Sequence, residues 1–151
     1  MMSETLKYRP GESGDPAFSE IAHTADYALR IRGKDFAGLL QNAAWGLYSL
    51  IGARKRENAG GKLIEKKVNL DAQDAESLLV EWLSELAYWV ETTLFIGAEI
   101  DFIDVSGKHL EAAVRGWEAE RIEKLIKAVT YHNLQIRETE TGLEATVVFD
   151  V

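Results

Sequence analysis

With 151 residues, 46% of them hydrophobic, and only two prolines, the chain has material for one domain with a real core, too little for two ordinary ones, and not the composition of a disordered segment. The absence of cysteine excludes disulfides and thiolate zinc centres, favours a reducing compartment, and leaves oxygen or imidazole as the only metal donors. A formal net charge of -8 disfavours direct nucleic-acid binding, because there is little basic surface to release counterions, and no apolar run approaches the roughly 18 residues of a membrane span.

Residues 1–17 carry Pro10, Gly11, Gly14 and Pro16 among mixed charges, the texture of a flexible lead-in, with no apolar core of a secretory signal. The folded domain is therefore expected over 18–151, in the cytoplasm. Tyr27, Leu29 and Ile31 alternate with Ala28, Arg30 and Arg32, predicting a half-buried strand closed by Gly33. Asp35 is placed to cap a helix over 36–51, whose apolar residues Phe36, Leu39, Leu40, Ala43, Leu47 and Ile51 recur at helical spacing and stop at Gly52. Arg54, Lys55 and Arg56 follow as a basic cluster, read as a solvated loop or as a dock for an acidic partner. A strand is predicted over 63–70.

Asp74 caps a second helix over about 75–95, with a stripe of Leu79, Trp82, Leu83, Leu86, Val90 and Leu94. Leu39, Leu40 and Leu47 of the first helix are matched in spacing by Leu78, Leu79 and Leu86 of the second, which hints at a duplicated strand–helix unit. Residues 99–106 and 109–116 flank Gly107-Lys108 as a hairpin, 117–124 forms a charged connector, one long strand is predicted over 125–137, and a last strand runs from Leu143 to Val151. Runs of strands with two helices indicate a single α+β domain, with one antiparallel or mixed sheet carrying two long helices.

Two acids stand beside strand-forming residues: Asp26 just before the first strand, after Ala22-His23-Thr24-Ala25, and Asp150 at the end of the last. Local readings are open to both. From local pattern alone Asp26 reads first as a turn cap ahead of its strand, and Asp150 as a solvated acid near the chain end. The three histidines, at 23, 109 and 132, have no zinc spacing, and neither a Gly-rich phosphate loop nor a nucleophile motif is present.

His23-Thr24-Ala25-Asp26, Asn42-Ala43-Ala44, Leu78 to Leu83, the run Lys127-Ala128-Val129-Thr130-Tyr131-His132, and the terminal Val147-Val148-Phe149-Asp150-Val151 together resemble the archease family. The connector at 117–124 departs from the Gly-Glu and His-bearing loop associated with that family. The resemblance implies an accessory protein, not itself an enzyme, for the tRNA-splicing RNA ligase that joins a 3′-phosphate or 2′,3′-cyclic end to a 5′-hydroxyl. It implies that the protein promotes guanylylation of the ligase from GTP and its multiple turnover. It also implies a divalent ion, Ca²⁺ or Mg²⁺, at Asp26 and Asp150. A carboxylate at Val151 adds a third oxygen donor suited to such hard cations. His23, Lys127 and His132 are candidates for orienting those ligands or touching the ligase. A different class of reading uses the same acids in a small metal-dependent hydrolase or phosphate-handling enzyme.

Overall fold

The computed structural model describes residues 4–7, 17–22, 26–56, 61–131 and 133–151, with 4–7, 21, 22 and 26 described by their backbone alone. Among them, the elements in chain order are β1 (Glu4–Lys7), β2 (Phe18–Ala22), β3 (Asp26–Gly33), α1 (Phe36–Ile51), β4 (Ile64–Asp71), α2 (Ala75–Thr93), β5 (Phe95–Val105), β6 (His109–Glu118), β7 (Ala128–Thr130), β8 (Arg137–Thr139) and β9 (Gly142–Asp150). The strands form two antiparallel sheets, not one. The first has the order β1-β5-β6-β4, and the second has the order β2-β3-β9-β7, with β8 also on β9. The α+β class holds, and the division into two sheets explains why both helices are so apolar.

Each helix touches both sheets. Helix α1 lies on β2, β3 and β9 of the second sheet and on β5 of the first, while α2 lies on β4, β5 and β6 of the first and on β7 of the second. A helix with neighbours on several sides needs more than one apolar stripe. Accordingly Leu78, Val80, Ala87 and Trp89 of α2 are buried in addition to the predicted stripe residues Leu79, Trp82, Leu83, Leu86 and Val90. The helices meet where the Trp82 indole N–H donates to the Leu40 carbonyl at 2.8 Å, wholly inside the core.

Both helices begin as expected. Asp35 accepts from the Gly38 amide at 2.8 Å and Asp74 from the Ser77 amide at 2.7 Å, each satisfying a first-turn donor. Helix α1 ends at Gly52, which takes the left-handed conformation (φ 65) and returns its N–H to the Tyr48 carbonyl. The connector after β6 has a structural task that its charged composition conceals. Its Ala119 amide donates to the Leu94 carbonyl, and the Glu123 and Lys124 amides donate to the Ile51 carbonyl, so one segment caps the C-terminal ends of both helices.

The long strand expected over 125–137 is the main correction. Among the described residues of that stretch, Ala128–Thr130 pairs with β9, the chain then turns, and Arg137 rejoins β9 as the start of β8. Asn133 adopts a positive φ of 53, the Leu134 amide donates to the Tyr131 carbonyl, and the Ile136 amide donates to Glu76 Oε2 in the first turn of α2 at 3.0 Å. Asn tolerates this backbone region better than most residues. An acceptor sixty positions earlier in the chain therefore holds the segment that breaks the strand. The expected lead-in 1–17 lies mostly outside the described residues, and within it Glu4–Lys7 runs antiparallel to β5.

Candidate functional site

The second sheet brings the two ends of the domain together. Strand β3 pairs antiparallel with β9 over its whole length, and the register sets Asp26 opposite Asp150, Tyr27 opposite Phe149 and Leu29 opposite Val147. This register follows from the apolar pattern. Leu29, Ile31, Ala145, Val147 and Phe149 are all buried on the helix side, and a slip of one residue would turn that whole set outward. Positions paired in this way share a face, so the Asp26 and Asp150 positions lie on the face away from α1.

On the other side of β9, Ala128 pairs with Asp150, and the Lys127 amide donates to the Asp150 carbonyl at 2.8 Å. Asp150 and Lys127 are exposed. Val151, next along the strand, is partly buried and packs its side chain on the core, leaving only its main-chain oxygens for the site. His23 and His132 lie outside the described residues, as does the Asp26 side chain.

Two further residues belong to this region, and the sequence reading missed both. Lys124 places its ammonium 4.8 Å from the centre of the Tyr27 ring, beside the start of β3. Thr130 pairs with Val148, two positions from Asp150, and so lies on the same face. Its hydroxyl is buried with no hydrogen-bond partner among the described residues. The signal available for Lys124 was its place in the basic entry to the Lys127 strand. For Thr130 no pattern in the sequence distinguishes an orphaned hydroxyl from an ordinary strand threonine.

These residues fit a hard divalent cation. Like charges set directly opposite each other in a sheet repel, and a bound ion or a nearby ammonium offsets that cost. Asp side chains, main-chain oxygens and a hydroxyl are oxygen donors of the kind Ca²⁺ and Mg²⁺ accept. No group of three or more His, Cys, Asp or Glu that could hold a metal is found among the described residues, which leave out the Asp26 side chain, His23 and His132.

The fold and this register define a class: a small α+β protein of two antiparallel sheets around two helices, with an acid at the start of an internal strand paired to an acid at the end of the last one. The Archease protein family model matches residues 18–151. The chain is 31% identical to the protein archease of Archaeoglobus fulgidus over 137 residues, 87% of this chain and 96% of that one. It is 32% identical to that of Methanosarcina barkeri over 142 residues, covering 89% and 95%. Among solved structures it resembles Methanobacterium thermoautotrophicum protein 1598 (28% identity, TM-score 0.66, 90% of this chain and 99% of that one). It also resembles a Thermotoga maritima protein described as an archease and possible chaperone (25% identity, TM-score 0.61, covering 87% and 94%). The chain belongs to the archease family.

Proposed function

We propose that this protein is a non-enzymatic accessory factor for a tRNA-splicing RNA ligase, and that it promotes GTP-dependent guanylylation and repeated turnover of that enzyme. Family membership supports the accessory role, and the description of the Thermotoga maritima relative as a possible chaperone is in keeping with it. The observation that carries the reading is the register that pairs Asp26 with Asp150, since it gathers acids from opposite ends of the chain at a strand end. Asp26, Asp150 and the main-chain oxygens of Val151 would hold a divalent ion. When bound, such an ion supplies positive charge suited to phosphate oxygens.

The chain's own groups then have distinct tasks. The β3–β9 ladder fixes the acids, the Lys127 amide fixes the Asp150 main chain, and exposed Lys127 offers a cation to a partner surface. No part of the role requires the protein to form a covalent bond. His23 and His132 remain candidates for contact with the ligase.

The test mixes the purified protein with its host's ligase and GTP and follows covalent guanylylation, alongside calorimetric titration with Ca²⁺ and with Mg²⁺. Asp26→Asn and Asp150→Asn are expected to keep the melting temperature and lose both ion binding and stimulation. A chain extended beyond Val151 is expected to bind the ion more weakly. Full stimulation by both Asn variants removes the ion from the reading. Turnover of a phosphate ester by the protein alone, without any effect on the ligase, replaces the accessory role with an enzymatic one.

A further inference from the structure

At the end of the molecule where both helices stop, a cleft of about 530 Å³ opens between the start of β4, the last residues of α2 and the segment after β6. Lys55, Arg56 and Lys62 line it, all exposed, and Trp117 lies under the Lys55 ammonium at 5.6 Å. Glu118 and Glu120 are the acids on its wall. The cations belong to a dense run. Six of the chain's 17 Lys and Arg fall between Arg54 and Lys67, with only Glu57 and Glu65 among them, in a protein whose net charge is -8. Glu65 is already held by Arg115 at 3.4 Å.

The cleft adjoins a free sheet edge. Strand β4 pairs with β6 on one side and has no strand on the other among the described residues. Lysines on an edge strand often serve only to keep other chains away. That account covers Lys67. It does not cover Lys66, which leans over the rings of Trp89 and Phe95 (5.9 and 5.4 Å), nor the cations supplied by the preceding connection. A guarded edge would also not begin with Leu63 and Ile64, which are 38% and 40% exposed.

We propose that the β4 edge and this cleft together dock an extended acidic segment of a partner polypeptide by strand addition. The partner's backbone pairs with β4, its carboxylates meet Lys55, Arg56 and Lys62, and an apolar side chain covers Leu63 and Ile64. Charge complementarity selects an acidic occupant. The unpaired strand edge selects a polypeptide over a nucleic acid, whose backbone offers no amide to pair with it. The surface is separate from the Asp26–Asp150 site and stands or falls without it.

The probe is a fluorescently labelled peptide about ten residues long with alternating Glu and Val, measured by anisotropy with the intact protein, together with amide hydrogen exchange. Saturable binding is expected, weakened about tenfold or more by Lys62→Glu, by the Lys55→Glu/Lys62→Glu pair, and by raising salt to about 0.3 M. Slowed exchange should be confined to Ile64–Asp71 and its neighbours. Both variants are exposed-site changes, and a melting curve confirms that they fold. A peptide with Pro at alternate positions should bind about tenfold more weakly, because proline removes the pairing amides. Absence of binding, equal binding of the Pro peptide, no protection in β4, or tighter binding of an oligouridine of equal charge would each overturn the proposal.

Discussion

The strand–helix unit of β3 and α1 and that of β4 and α2 are built to one plan and put to different use. Each runs from a strand through an Asp cap into a long helix, with Leu39, Leu40 and Leu47 of the first answered by Leu78, Leu79 and Leu86 of the second, all buried. Their strands have opposite fates. Strand β3 is internal, flanked by β2 and β9, and its first position is paired with Asp150. Strand β4 lies at an edge, paired with β6 alone among the described residues, with most of its own residues exposed. The local code is thus nearly the same, and the neighbour each strand acquires decides whether an acid pair is assembled or a backbone edge is left open.

The sharpest way to break this two-unit arrangement is at the hydrogen bond between Trp82 of one helix and Leu40 of the other. Trp82 occupies in α2 the place that small Ala43 holds in α1, a large residue against a small one across the shared core. Trp82→Ala removes a fully buried ring and the indole donor to the Leu40 carbonyl, which is left with its helical bond alone. A loss of about 3–5 kcal/mol is expected by chemical denaturation. A loss under about 1 kcal/mol would mean that the helices do not depend on each other there.

A smaller effect of opposite sign is expected at Tyr48, whose counterpart in the second helix is Ala87. The Tyr48 hydroxyl is buried beside Gly97 without completing a hydrogen bond among the described residues, and burial pushes its pKa well up. Tyr48→Phe deletes a polar atom that costs free energy to bury and keeps the ring. Stability should be unchanged or rise by up to about 1 kcal/mol, and a clear loss in the melting curve would mean that the hydroxyl has a partner in solution.

The smallest effect separates the strand ends of the two units by pH. At the far end of β4, His109 of β6 bonds Asp71 at 2.8 Å and faces Asp104 at 3.7 Å. The hydrogen bond to Asp71 raises its pKa, desolvation works against this, and the charges of Asp71, Asp104 and Glu111 add to the rise. Because the folded pKa is above the unfolded one, this contribution is complete below the unfolded value, roughly 6.5, and fades as pH rises through the folded value. Stability should therefore fall as pH rises from about 6.5 through the raised folded value, and the part due to His109 is the difference between the protein and His109→Gln. Identical slopes for the two would show that Asp71 and His109 do not interact in solution.

What could be read in advance follows the range of the forces involved. The Asp35 and Asp74 caps, the Gly52 stop, the helix faces and the β5–β6 hairpin were legible because each depends on residues a few positions apart. Residues 125–137 were misread as one strand because their Ile126, Val129, Leu134 and Ile136 suit a strand locally. The turn at Asn133 is held from outside by Glu76. At the candidate site the sequence placed Asp26 just before one strand and Asp150 at the end of another, and composition offered nothing to join them beyond the family resemblance.

By itself, the sequence determined the α+β class, the capped helices, the exclusion of thiolate metal donors and the family to which the chain belongs. Only the tertiary structure decided that the strands form two sheets, that Asp26 faces Asp150 across a ladder, that one charged connector closes both helices, and that β4 is left with an open edge. The physical reason is that propensity and periodicity act over one or two turns of chain. Strand pairing is chosen by which apolar faces can be buried together, and that choice joins residues from opposite ends of the sequence.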